Sequence, residues 1–210
     1  MIDELKYQSI ADIPEGKFAQ FLFNNPYWKT NLTNIRGIPD LASNYLEIPF
    51  DGLPRQPKGD IDVLLVQSGV PQFATAIQIK RIKVSQRSSI SGFPNKLNVY
   101  KKGVRQANLL AELGFAQVYL YVFIVVDSRS QNIGTYSYNG LTNELRAKID
   151  SAISVDNLYE RVGLIKFDFT QPMDYEPLHV GAYGGSLVRL ASIAEQPKAI
   201  TDWVDSIEEN

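Results

Sequence analysis

The sequence predicts an α/β protein with a mixed central β-sheet flanked by helices, in a single domain of 210 residues. Segments with the helical spacing of apolar residues alternate along the chain with short β-branched segments. The segment 117–126 is apolar throughout, as expected of a central strand that is covered on both faces. Hydrophobic residues make up 44% of the chain, enough for a core, and no evident linker divides it.

The first elements are a helix and a strand. Phe18, Phe21 and Leu22 share one helical face, and Asn24-Asn25-Pro26 is expected to end that helix. A turn-rich connection is predicted for residues 27–40. Residues 45–50 then read as a short strand, in which Pro49 favours an edge position.

A hairpin and a basic helix follow. Residues 61–66 and 74–84 are rich in β-branched side chains, and the turn signals at 68–71 between them predict a hairpin. The segment 85–95 is expected to be a loop. The next helix is predicted over 97–113, with Gly114 just past its end.

The last part of the chain alternates strands and helices. After the strand at 117–126, a helix is predicted from about residue 142 and a strand over 163–169. Gly181, Gly184 and Gly185 predict a tight turn before a helix at Leu187. The final helix is predicted from an apolar stripe that follows Pro197 and is made of Ile200, Trp203, Val204 and Ile207.

The composition narrows the chemistry. The absence of cysteine excludes disulfides, thiolate zinc sites and cysteine nucleophiles. A single histidine, His179, excludes a multi-histidine metal site, and we interpret it as structural because no nucleophile motif accompanies it. The longest apolar run, 118–126, is too short for a transmembrane helix, and the N-terminus does not resemble a signal peptide. We therefore expect a cytoplasmic protein with no membrane partner.

The net charge of −2 conceals an uneven distribution. Residues 63–111 contain eight basic residues and no Asp or Glu, so this segment carries +8. The remaining thirteen basic and 23 acidic residues give the rest of the chain −10. A basic segment within an acidic chain indicates an anionic partner, although a solvated helix and loop would have the same composition.

Four polar side chains on the predicted hairpin carry the functional signal. Side chains alternate along a strand, so Asp60 and Asp62 share one face, and Gln78 and Lys80 share one face of the next strand. In a suitable register all four converge at one edge of the sheet. Oxygen ligands of this kind suit Mg²⁺, with Mn²⁺ as an alternative, and a neighbouring lysine suits phosphodiester hydrolysis.

The segments Gly59-x-Ile61-Asp62 and Gln78-Ile79-Lys80 resemble the PD-(D/E)XK nuclease superfamily, and in particular its Mrr-type restriction endonucleases, which carry Gln-x-Lys. The resemblance covers about residues 45–126. It implies a restriction-endonuclease-like core in which Asp62, Gln78 and the Ile79 carbonyl bind Mg²⁺ and Lys80 is the catalytic lysine. The neutral Gln78 replaces a carboxylate, and Asp60 or Glu47 could supply the missing charge. Either could equally be a surface acid, and this is the favoured interpretation for Glu47, whose place depends on how the first strand pairs.

The same resemblance implies a DNA substrate, with RNA as the alternative, and cleavage of both strands of a duplex would favour a homodimer. Gln106 on the basic helix could reach the metal-bound water or a phosphate. The expected nucleic-acid contacts are Arg81, Lys83, Arg87, Lys96, Lys101, Lys102, Arg105 and Gln106. A second hypothesis is a catalytically degenerate protein of the same fold that binds nucleic acid or protein.

Overall fold

The fold is taken from a computed structural model of the chain, which describes residues 7, 9–34, 42–53, 59–85, 93–127, 143–171, 178, 180 and 182–209. Within these residues it forms one six-stranded mixed sheet with five α-helices. The α/β class predicted from the sequence is confirmed.

The six strands lie in the sheet in the order in which they occur in the chain. Strand β2 is antiparallel to both β1 and β3, β3 to β5 run parallel, and β6 is antiparallel to β5. The predicted hairpin is therefore present as β2 and β3. The strands are β1 (Ser43–Pro49), β2 (Asp60–Val66), β3 (Thr75–Ser85), β4 (Gln117–Asp127), β5 (Val162–Gln171) and β6 (Ala182–Arg189).

Helices cover both faces of the sheet. The helices are α1 (Glu15–Phe23), α2 (Pro26–Asn34), α3 (Phe93–Leu113), α4 (Asn143–Ala152) and α5 (Lys198–Glu208). The core under α3, α4 and α5 contains the even-numbered residues of β4, such as Leu120 and Val122. The core under α1 and α2 contains the odd-numbered ones, such as Tyr119 and Phe123. The apolar character of β4 on both faces thus follows from its central position.

Helix α3 lies on the face of β3 where Gln78 and Lys80 are expected. It begins at Phe93, four residues before the predicted start, and Gly114 ends it with a φ of 99°. The Gly114 amide donates a hydrogen bond to the Ala111 carbonyl. A left-handed residue that closes the last turn is the role predicted for this glycine.

One predicted connection is a helix. Residues 27–40 were expected to be turn-rich, but Pro26–Asn34 forms α2. The Asn25 side-chain oxygen accepts hydrogen bonds from the amides of Tyr27 at 3.0 Å and Trp28 at 3.3 Å. Asn25 therefore caps α2 and Pro26 occupies its first position, so the pair that ends α1 also starts the next helix.

The glycine-rich segment near the C-terminus is a strand. A tight turn and a helix at Leu187 were expected, but Ala182–Arg189 forms β6, in which Gly184 pairs with Asp168 and Gly185 with Phe167. Local propensity favoured a turn, and pairing with the antiparallel edge of β5 outweighs it. Gly181 and His179 lie outside the described residues.

Candidate metal centre

Asp62 lies where the β2–β3 ladder ends. Val63 pairs with Ile77 in the antiparallel register, which brings Asp62 beside Gln78. The Asp62 Oδ2 atom accepts a hydrogen bond from Gln78 Nε2 and another, at 2.5 Å, from the backbone amide of Ile79. The carboxylate thus bonds to the backbone of β3 at the point where the two strands separate.

Ile61 and Val63 pack into different cores. Val63, Ile77 and Ile79 belong to the core under α1 and α2, as the alternation predicts. Ile61, which the same alternation would place with them, packs instead into the core under α3. The regular alternation of β2 is therefore broken beside Asp62.

Glu47 brings a third carboxylate to the two on β2. The β1–β2 register pairs Leu46 with Val63 and Ile48 with Ile61, so Glu47 lies opposite Asp62. Its φ of 53° is in the left-handed region, which is rare for a residue other than glycine. Oxygen atoms of Glu47, Asp60 and Asp62 all lie within 4.8 Å of one another. This acidic cluster could bind a divalent ion.

Two buried side chains from β3 complete the centre. Lys80 Nζ is 3.6 Å from Asp62 Oδ2, and the lysine side chain is only 6% exposed. Gln78 is fully buried, and its Oε1 atom has no hydrogen-bond partner among the described residues. An unpartnered buried carbonyl oxygen beside carboxylates is the kind of ligand that Mg²⁺ or Mn²⁺ accepts.

Burial is the main cause of the raised pKa values of two of these carboxylates. Burial, together with the charges of Asp62 and Asp60, raises the pKa of Glu47 to about 7. Burial also raises the pKa of Asp62 to about 6, although Lys80 and the Ile79 amide oppose this shift. A bound cation would relieve the repulsion between these groups.

The centre opens into a cavity of about 260 Å³. Its polar walls come from β1 to β3 and from helices on both faces of the sheet. Sequence reasoning missed Glu15, which enters from the first turn of α1 and has no motif that links it to the hairpin. The charged and amide side chains that line the cavity are Glu15, Glu47, Asp60, Asp62, Lys80, Arg81, Lys102 and Gln106.

Part of the basic segment faces solvent near this cavity. Lys101, Lys102 and Arg105 are exposed on α3, and Lys102 and Gln106 line the cavity. The Gln106 Oε1 atom is buried, with no hydrogen-bond partner among the described residues. Lys83 is exposed on β3. Arg87 lies outside the described residues, and the side chain of Lys96 is not described.

Arg81 has a different environment from the exposed basic residues. It is 8% exposed, its Nη1 donates to the Ile10 carbonyl at 3.0 Å, and its guanidinium lies 4.9 Å from the Phe18 ring centre. These partners lie on the α1 side of the sheet, across from Gln78 and Lys80. The geometry of Arg81 is that of a residue that anchors the N-terminal segment to β3.

The mixed sheet and the acidic cluster together are compatible with a nuclease-like core. A comparison with protein-family models finds no match to this sequence, and a comparison with curated proteins finds none either. Among the helices of the described residues, none combines the length and the apolar character needed to cross a membrane.

Proposed function

We propose that the protein is a Mg²⁺-dependent endonuclease of PD-(D/E)XK type that hydrolyses DNA phosphodiester bonds. The observation that carries the proposal is the position of Lys80 Nζ, buried and 3.6 Å from Asp62 Oδ2 beside three carboxylates. An ammonium group next to an oxygen-ligand set is the combination that phosphodiester hydrolysis needs.

The ligand set is Asp62, the Gln78 amide oxygen and the Ile79 carbonyl, with Glu47 and Asp60 supplying the charge that Gln78 lacks. The unpartnered Oε1 of Gln78 supports its inclusion. The left-handed backbone of Glu47 supports its own, because such strain is retained where the surroundings require it. When bound, the divalent ion supplies a water of lowered pKa and neutralises charge at the scissile phosphate.

The protein groups act on the water and on the phosphate. Lys80 orients the attacking water or donates a hydrogen bond to a phosphoryl oxygen, where negative charge develops as the water oxygen bonds to phosphorus and the bond to the leaving sugar oxygen breaks. The proton that the water loses passes to solvent, and solvent protonates the leaving oxygen. Lys101, Lys102 and Arg105 on α3 bind phosphates on either side of the scissile bond.

Nicking of supercoiled plasmid in Mg²⁺ or Mn²⁺ tests this function. Lys80→Ala and Asp62→Asn should each lower the rate by about a hundredfold or more, as loss of groups that stabilise the transition state does. Lys198→Ala should cleave like the wild type, because Lys198 is exposed on α5 and does not line the cavity. Equal nicking by the wild type and Lys80→Ala would point to a contaminant and reject the function.

The alternative is a degenerate nuclease fold that binds nucleic acid or protein without cutting. The neutral Gln78 favours it, because Gln78 Nε2 donates a hydrogen bond to Asp62 Oδ2, the same oxygen that accepts one from the Ile79 backbone amide. Salt-dependent DNA binding by the wild type, with no cleavage in either metal, would select this alternative.

A further inference from the structure

Lys80 passes beneath α3 at a glycine. Gly103 lies within this helix and is buried. A Cβ atom added at position 103 would be 2.5 Å from Cγ of Lys80 and 3.0 Å from Cδ1 of Leu120. Since carbon atoms in contact are about 3.5–4.0 Å apart, no side chain fits there. The lysine stem occupies the space that a side chain at this position would need.

A glycine inside a helix is informative because it costs about 1 kcal/mol relative to alanine. Gly103 lies ten residues into the 21-residue helix α3, away from either end, and its φ is not in the left-handed region. Gly16 in α1 provides the contrast, because an added Cβ would meet nothing within 4 Å there. The close approach of Lys80 and Leu120 therefore accounts for the glycine at position 103.

The position of the contact along the lysine side chain matters. Cγ is only the second carbon of the stem, so rotation of the distal bonds cannot relieve the overlap. Relief requires rotation about χ1 of Lys80 or a shift of α3 away from β3. Either change would move Nζ from its place 3.6 Å from Asp62 Oδ2. A shift of α3 would also displace Lys102 and Gln106, which line the same cavity.

We propose that Gly103 is a positioning residue for Lys80: the missing side chain lets the lysine stem run under α3 and deliver Nζ to the acidic cluster. The proposal rests on the proposed function for the catalytic role of Lys80. The packing relation between the two residues can be tested whether or not the protein cleaves DNA.

A double-mutant cycle tests the contact itself. In denaturant unfolding, Gly103→Ala should lower the transition midpoint, and this loss should be clearly smaller in the Lys80→Ala background, which lacks Cγ. The Leu120 contact is common to both backgrounds. Gly16→Ala should leave the midpoint unchanged or raise it. An equal loss in both backgrounds would overturn the proposal, as would failure of both Gly103→Ala proteins to fold.

Lysine acetylation followed by mass spectrometry reports the position of the side chain. Lys80 should react slowly in the wild type and several-fold faster in Gly103→Ala, whereas the exposed Lys102 should react equally in both. Gly16→Ala should match the wild type at both lysines. Unchanged labelling of Lys80 in a folded Gly103→Ala protein would show that the alanine does not displace it and would reject the proposal.

Cleavage connects the packing to the reaction. A displacement of about 1 Å can lower a rate about a hundredfold, so Gly103→Ala should lose that much nicking activity with little change in KM. Full activity in Gly103→Ala would overturn the positioning role. A wild type that cuts nothing would instead reject the proposed nuclease function, while the cycle and the acetylation rates would still decide the relation between Gly103 and Lys80.

Discussion

Gln78 Nε2 donates a hydrogen bond to Asp62 Oδ2, which leaves Gln78 Oε1 buried and without a hydrogen-bond partner among the described residues. The side chain that replaces a carboxylate in the motif therefore does two things at once. Its Nε2 group provides one of the hydrogen bonds that the buried Asp62 carboxylate needs, and its Oε1 atom remains available to a cation. A glutamate could not provide the first of these interactions without a proton.

The first prediction concerns Gln78→Glu. In EDTA this change should destabilise the protein by roughly 1–3 kcal/mol, because a buried donor is lost and a further negative charge is placed beside Asp62. With Mn²⁺ or Mg²⁺ the added charge should strengthen metal binding. Denaturant unfolding and isothermal titration calorimetry measure the two effects.

Gln67→Glu is the matched control, because Gln67 is exposed just beyond β2 and should change neither quantity. Weaker metal binding by Gln78→Glu than by the wild type would show that position 78 is not a ligand.

The second prediction concerns the backbone of Glu47. A left-handed conformation costs a non-glycine residue about 1–2 kcal/mol, so Glu47→Gly should be more stable than Glu47→Ala by about that amount. Both variants should bind Mn²⁺ more weakly than the wild type, since both lack the carboxylate. Thermal unfolding and calorimetry provide the measurements, and equal stability of the two variants would contradict the strained conformation.

Glu47 also shows which parts of the site cannot be predicted from a sequence pattern. Asp60, Asp62, Gln78 and Lys80 could be grouped because a hairpin pairs residues that are close in sequence. The break in the alternation of β2 beside Asp62 had no signal in the sequence. The place of Glu47 depends on the β1–β2 register and on one left-handed residue, and neither has a signature in the local sequence. Glu15 reaches the cavity only through the packing of α1 on the sheet.

The fold shows the same limit. The central strand β4 and helix α3 were predictable because their apolar patterns are long and regular. Helix α2 was missed because Asn25-Pro26 is equally suited to ending one helix and capping the next. Strand β6 was missed because its pairing with β5, rather than its glycine-rich sequence, determines its conformation.

The third prediction is a pH dependence that arises from the acidic cluster. The pKa values of Glu47 and Asp62 are raised to about 7 and about 6, above their ordinary values. Groups with a raised pKa contribute most to stability below their ordinary pKa, and that contribution is lost as the pH rises through the folded-state value. In EDTA, the Tm of the wild type relative to Glu47→Gln should therefore fall between about pH 4 and pH 8.

At pH 8, Mg²⁺ should raise the Tm of the wild type, and it should raise the Tm of Glu47→Gln by less. Glu195→Gln, at an exposed position, is the control and should follow the wild type at every pH. A difference in Tm between the wild type and Glu47→Gln that stays constant across this range would show that Glu47 does not titrate as the cluster requires.

The last prediction separates two kinds of basic residue in the segment 63–111. Arg81→Met should destabilise the protein by roughly 1–3 kcal/mol, because it removes the hydrogen bond to Ile10 and the contact with Phe18. Lys102→Met should leave stability unchanged and weaken DNA binding, with the slope of log K against log salt reduced by about one. Fluorescence anisotropy at several salt concentrations, beside denaturant unfolding, measures both. The reverse pattern, in which Arg81→Met changes the salt slope and Lys102→Met does not, would move the phosphate contacts from α3 to the α1 side of the sheet.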